Sequence, residues 1–160
     1  MSTTLRNKGV KFVSPQEVGF AQQRGVTVVD IRPAGEYTKS RIPGAANVEF
    51  FRLIEGWDPT RVARRALYAF FGVLNGTEFN PNFFTEFEQL VPDKRSRIIL
   101  YCNIGGSLDP TGPSEFGQQS RSLTAAYELV RAGYNAGSIQ ILQGGMYEWK
   151  MSGRETEDDD

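Results

Sequence analysis

Histidine is absent from this 160-residue chain, and cysteine occurs once, at Cys102. Without histidine there is no Ser-His-Asp triad, no Cys-His pair and no histidine-ligated zinc site, and one cysteine closes no intrachain disulfide. An excess of one charge is missing too. The 18 Lys and Arg against 19 Asp and Glu leave a net charge of -1, so nothing in the balance calls for nucleic acid as a partner. No apolar run approaches the roughly 20 residues needed to span a bilayer, and the N-terminus lacks a signal-like apolar core. Membrane association is therefore not expected, and a soluble intracellular protein is. What is present, 39% hydrophobic and 23% charged residues, suits one globular domain.

The stretch around which the chain is organised runs from Arg97 to Val130. A short apolar run, Ile98, Ile99, Leu100 and Tyr101, ends at Cys102; a loop rich in Gly, Ser and Pro then leads into a helix predicted from about Arg121 to Arg131. The only thiol therefore stands where a strand stops. There it can meet loop amides and a helix N-terminus, both of which favour thiolate over thiol. The plainer account is that Cys102 is one more small apolar side chain finishing a buried strand. With no histidine available, a nucleophilic Cys102 would draw its activation from the loop, the helix and nearby Arg or Lys.

Along the rest of the chain, residues 1–9 are polar and read as a flexible N-terminus. Ser14-Pro15-Gln16-Glu17 supplies an N-cap, a proline at the first helical position and a Glu three residues after the cap, and Gly25 ends that helix. Val26–Ile31 is a β-branched run broken only by Asp30, the pattern of a buried parallel strand with a polar tip. Arg32-Pro33 stops it, Glu36 to Arg41 is surface-like, and Ile42-Pro43-Gly44-Ala45 turns into a short edge strand around Asn47–Glu49. A helix opening at Asp58-Pro59-Thr60 carries Val62, Ala66, Ala69, Phe70 and Val73 on one face, with Arg61, Arg64 and Arg65 opposite. Asn75-Gly76 punctuates the chain. Phe83, Phe84, Phe87 and Leu90 form the apolar stripe of another helix. Phe70, Phe83, Phe84 and Phe87 are expected to pack inward, and Arg64 and Arg65 to face solvent. Ser138–Leu142 is a third strand, Gly144-Gly145 turns it, and Met146, Tyr147 and Trp149 begin a last helix. Residues 154–160 form an acidic tail read as disordered. Strands separated by helices, with no repeat and no break in composition, give one three-layer α/β domain over residues 10–153, its sheet mainly parallel and flanked by helices.

The order Asp30-x-Arg32, Glu36-Tyr37, Ile42-Pro43-Gly44-Ala45, strand-terminal Cys102, and Gly144-Gly145 before Trp149 resembles the rhodanese family of sulfur-transfer domains, in particular the single-domain rhodanese-like proteins of plant and algal chloroplasts. The resemblance implies that Cys102 takes a sulfane sulfur from a small donor such as thiosulfate, holds it as a persulfide and passes it to a thiol or cyanide acceptor. No cofactor or metal is implied, and a chloroplast location is. Candidate donors of a cradle for the anionic sulfur are the amides of Asn103, Ile104, Gly105, Gly106 and Ser107 and those around Ser120, Arg121 and Ser122. Arg121 is a candidate for the anionic end of a donor or, equally, for capping an Asp or Glu near the loop; Asp30 and Arg32 are candidates for a supporting layer, and Arg41 for binding substrate or supporting the loop.

Two departures from the family pattern stand out. Arg121-Ser122 comes 19 positions after Cys102, where the compact family loop has its Arg-Ser pair within a few residues, and Arg41 stands where the family commonly has histidine before Ile-Pro-Gly. A cysteine phosphatase or arsenate reductase would need Cys-x5-Arg, and the sixth residue after Cys102 is Leu108. The alternative from another class is a rhodanese-like module without turnover that binds a protein partner or senses a sulfur or redox signal.

Overall fold

A computed structural model describes residues 1–53, 77–108 and 120–159. The helix predicted over residues 58–73, the turn at residues 75–76 and residues 109–119 of the long loop lie outside the described residues. So do Phe70, Arg61, Arg64 and Arg65.

Helix α1 (Ser2–Lys8) precedes strand β1 (Lys11–Val13), helix α2 (Pro15–Gln23), strand β2 (Thr27–Asp30) and helix α3 (Ala34–Lys39). Strands β3 (Ala46–Asn47), β4 (Phe51–Leu53) and β5 (Thr77–Phe79) follow, then helix α4 (Phe83–Leu90), strand β6 (Ile98–Tyr101) and helix α5 (Arg121–Arg131). A 3-10 turn (Ala136–Ser138), strand β7 (Ile139–Leu142) and helix α6 (Gly145–Met151) complete the order. Five strands form an all-parallel sheet in the order β1-β7-β6-β2-β3. The three strands expected from their apolar runs are neighbours at its centre, as their burial on both faces requires. Strands β4 and β5 pair antiparallel, Phe51 opposite Phe79, a pairing that the non-alternating sequence after Phe50 did not announce.

The sheet divides two cores, and residues alternate between them along each strand. Ile98, Leu100 and Cys102 of the β6 segment join Leu5, Phe83, Phe87 and Leu123 from α1, α4 and α5. Ile99 and Tyr101 face the other way, with Val18 of α2 and Met146 and Trp149 of α6. The phenylalanine stripe packs as expected at Phe83 and Phe87, both fully buried, and partly at Phe84, whereas Leu90 is exposed. Helix α2 opens with the capping box its sequence announces, Ser14 and Glu17 bonding one another's ends.

Both termini are more ordered than their composition suggests. Residues 2–8 are helical because Leu5 inserts fully buried into the first core and Gly9, at φ 96, closes the helix in the left-handed conformation. The acidic tail is pinned as well. Arg41 and Glu157 exchange backbone hydrogen bonds of 2.9 Å each way, Asp159 lies 2.7 Å from the Arg41 guanidinium, and Trp149 Nε1 donates to the Glu155 carbonyl. A basic partner supplied by the fold, rather than apolar content, holds these residues.

Tyr101 is completely buried, its hydroxyl accepting the Ile42 N–H at 3.2 Å. Burial, and next the charge of Asp30, push its phenol well above the ordinary value near 10. The neutral form is therefore favoured on folding, and its contribution is complete below pH 10. Above that, the unfolded chain releases a proton that the folded chain keeps, and stability is expected to fall by about 1.4 kcal/mol per pH unit from this group. Urea unfolding between pH 9 and pH 11 should show a shallower decline in Tyr101→Phe than in wild type; equal slopes would refute the assignment.

Candidate functional site

Every strand of the parallel sheet ends at the same edge, and the groups singled out by the sequence collect there. Cys102 is the first residue after β6, and the pairing of Asp30 with Tyr101 brings the end of β2 alongside. The residues after Cys102 are fixed by the turn that follows β7. Met146 N–H donates to the Cys102 carbonyl at 2.8 Å and Tyr147 N–H to the Asn103 carbonyl at 3.0 Å. This contact requires glycine twice: Gly145, at φ 60, leaves 2.5 Å between the position a Cβ would take and the Cys102 oxygen, and Gly105 leaves 2.6 Å to the Leu142 oxygen. Because a trans peptide directs its N–H opposite to its C=O, the amides of Asn103 and Ile104 point away from α6.

The thiol lies on the α5 side of the sheet and is 2% exposed. Its sulfur is 2.7 Å from the Ile104 carbonyl oxygen and 3.4 Å from Ser122 Oγ. One thiol proton serves one acceptor, and both oxygens lie within its reach. A chain of hydroxyls continues from there: Ser122 Oγ lies 3.0 Å from Ser120 Oγ, which donates to the Gly105 carbonyl at 3.0 Å and accepts from Leu123 N–H at 3.2 Å. Ser120 is thus the N-cap of α5 and the tether of the cysteine loop at once. Ser120→Ala should cost about 1 kcal/mol through the lost cap and also free the loop. Thermal unfolding should register the first effect, and faster amide exchange at residues 103–108 the second.

Asp30 and Arg32 occupy the other side of the sheet edge. Asp30 is fully buried and Arg32 3% exposed, and their side chains meet through a fork with Arg32 Nη2 2.7 Å from Asp30 Oδ2. Burial works against the Arg32 charge, but the bonds to Asp30 and its charge outweigh it, so the guanidinium is held more firmly protonated than usual. Arg32 reaches the cysteine loop through Asn103, whose side-chain oxygen accepts from Nη1 at 3.3 Å while its amide donates to Glu36 at 2.9 Å. One amide side chain therefore ties the residue after Cys102 to both β2 and α3.

The profile of the Rhodanese-like domain matches residues 14–152. The chain belongs to the rhodanese-like domain family. It is 42% identical over 150 residues to the Rhodanese-like domain-containing protein 14, chloroplastic, of Arabidopsis thaliana, an alignment covering 93% of this chain and 66% of that protein. Among solved structures, it resembles a thiosulfate sulfurtransferase from Pseudomonas aeruginosa at 19% identity and a TM-score of 0.56, covering 94% of this chain and 21% of that one. It also resembles a yeast protein tyrosine phosphatase of the rhodanese family at 17% identity and a TM-score of 0.51, covering 89% and 85%. At these identities the structures establish the shared fold alone.

Within this rhodanese-like domain the residues expected at the site divide. Cys102, Asn103, Ile104, Gly105, Ser120 and Ser122 converge, and Asp30 and Arg32 join them through Asn103. Gly106, at φ 71, and Ser107 continue the loop. Arg121 occupies the first position of α5 with its guanidinium over the Phe51 ring, 5.7 Å from the centroid. Arg41 is engaged elsewhere: it stacks on Tyr37 at 4.6 Å and holds Glu157 and Asp159. Sequence reasoning missed Glu36 as the partner of Asn103, and Leu108, which is buried in the same core as Cys102 and whose carbonyl accepts from Arg6 of α1. A leucine among polar loop residues was the available signal. Among the described residues, no three Cys, Asp or Glu side chains group so as to hold a metal ion, and no helix is long and apolar enough to cross a membrane.

Proposed function

We propose that this chain is a sulfurtransferase whose Cys102 carries a sulfane sulfur as a persulfide. The observation that supports it most is the position of the only cysteine, one residue beyond β6, with the Ser122 hydroxyl 3.4 Å from its sulfur at the start of α5. In this reading the Cys102 thiol first loses its proton to solvent. The thiolate then attacks the outer sulfur of the donor, forming a new S–S bond as the donor's own S–S bond breaks and its electron pair leaves with the remnant. With thiosulfate the remnant is sulfite and the product a persulfide anion, so charge is conserved. A thiol or cyanide acceptor then takes the outer sulfur and returns the thiolate. Ser122 would donate its proton to the charged sulfur, and Arg121 would attract the donor's anionic end from the first turn of α5. The name of the similar Arabidopsis protein supports a chloroplast location.

Phosphate-ester chemistry has less support, since Leu108 fills the position where a phosphate-binding arginine would stand and is buried. One observation favours the alternative of a binding or sensing module: the resting thiol is almost wholly covered and bonded to a carbonyl. Intact-mass spectrometry after treatment with thiosulfate and with a low-molecular-weight persulfide separates the two. Sulfur transfer is expected to add one sulfur atom, removable by cyanide or a thiol; an unmodified protein with both donors would leave the module reading.

A further inference from the structure

The far end of α6 borders a cavity that the sulfur chemistry does not use. Its volume is about 520 Å³, in the range of small-molecule sites, and it is lined by Gln22 of α2, Pro43, Trp149 of α6, and Ser152, Arg154 and Glu155 beyond that helix. Trp149 belongs to the second core and Cys102 to the first, so the sheet separates the cavity from the thiol. Two residues of opposite charge line it, and they do not pair with each other. The Arg154 guanidinium lies over the Trp149 ring, 5.5 Å from the centroid, as the left-handed turn at Gly153, φ 70, brings the chain back from α6. Among the described residues Arg154 has no carboxylate partner, and its Nε is the one buried side-chain nitrogen or oxygen atom without a hydrogen bond. Stacking on the ring, and not an ion pair, therefore places this charge. Glu155 is placed by its backbone, whose carbonyl accepts Trp149 Nε1 at 2.8 Å, while its carboxylate has no cation among the described residues. Two neutral acceptors complete the lining. Gln22 gives Nε2–H to the Pro43 carbonyl at 2.8 Å, which leaves its Oε1 open, and Ser152 gives its proton to the Trp149 carbonyl at 2.8 Å, which leaves the hydroxyl lone pairs.

We propose that this cavity binds a small zwitterion of the class of short peptides with both termini free, its carboxylate on Arg154 and its ammonium among Glu155, Gln22 and Ser152. The inventory of donors and acceptors makes the choice. A carboxylate only accepts, and the planar fork of an arginine already held in place is the group that meets it in two parallel bonds. An ammonium only donates, with three N–H groups, and the acceptors left open on Gln22, Ser152 and Glu155 match that number. A simple anion would satisfy Arg154 and be repelled by Glu155, and a simple cation would do the reverse; a molecule carrying both charges is repelled by neither. Trp149 is 6% exposed and its ring is taken by Arg154, so no open aromatic face selects a side chain, and the termini are what the cavity reads. Because Arg154 is positioned before any ligand arrives, little ordering is left to oppose binding. Nothing in this reading depends on Cys102.

The test titrates the full-length, nitrogen-15-labelled chain with trialanine, with N-acetyl-trialanine and with trialanine amide, and follows the backbone amides and the Trp149 indole N–H by NMR. Trialanine should give saturable shifts at Gly153, Arg154, Glu155 and the indole. Each blocked form lacks one charge and should bind about tenfold more weakly. Two substitutions assign the ends. Arg154→Gln should bind trialanine and its amide equally, and Glu155→Gln should bind trialanine and its acetyl form equally. Neither side chain is buried, and the carbonyl that holds Trp149 Nε1 is backbone, so both variants should keep the wild-type spectrum away from the cavity. Absence of saturable shifts at these residues would overturn the proposal. So would a blocked form that binds the wild-type chain as tightly as trialanine, since the cavity would then read one charge and not two.

Discussion

Cys102→Ala is expected to take up no sulfur from any donor that loads the wild-type chain, and to unfold only slightly more easily. Both halves follow from the place of the side chain. The persulfide needs a sulfur nucleophile, and the chain has no second cysteine to substitute. Structurally, one buried atom is removed from the rim of a core that Leu123, Leu100 and Phe50 continue to fill, so about 1 kcal/mol of stability should be lost. Cys102→Ser should be as inactive but keep a hydroxyl donor for the Ile104 carbonyl. Intact-mass spectrometry with urea unfolding of all three proteins provides the check. Equal sulfur uptake by Cys102→Ala would show that the label lies elsewhere.

Arg32→Ala should lower stability by about 3–5 kcal/mol, the range for breaking a buried ion pair from one side. The magnitude comes from what is left behind. Asp30, fully buried, would keep only the Arg32 backbone N–H at 2.9 Å among the three Arg32 donors that now reach it, and its carboxylate would remain in the interior without a counter-charge. The Ser40 carbonyl and Asn103 would lose a donor in the same substitution. Replacing both members together, Asp30→Leu with Arg32→Met, should cost less than Arg32→Ala alone, since no charge is then stranded. Urea unfolding measures both. A loss under 1 kcal/mol for Arg32→Ala would mean that solvent already reaches the pair.

The central strands, α2 and α5 were legible because their signals are local: β-branched runs bounded by polar tips, Ser14-Pro15 with Glu17, and Leu123, Ala126 and Val130 spaced along one helix side. Cys102 was legible for the same reason, as the end of a run. Helix α1 was not, since Leu5 is its one large apolar residue and its burial depends on α5 and the turn before β7, neither of which a local pattern contains. The order of the tail was hidden likewise: its carboxylates find Arg41 over a hundred positions earlier. That same engagement removes Arg41 from the cysteine's surroundings, where its sequence position before Ile42-Pro43-Gly44 had suggested it. At the site, residue types identified the loop but not the direction of its carbonyls. Whether Ile104 offers oxygen or N–H to the sulfur is a backbone property to which the isoleucine side chain is blind.

The two ends of the long loop have a bearing on how such a domain can diverge. Leu108 is anchored in the core and held by Arg6, while Ser120 is fastened to Gly105 and caps α5. Eleven residues, 109–119, join the two in sequence. Changing their number alters the closure entropy only logarithmically, about 0.6 kcal/mol for each doubling. A change in length between two such anchors therefore costs the fold little.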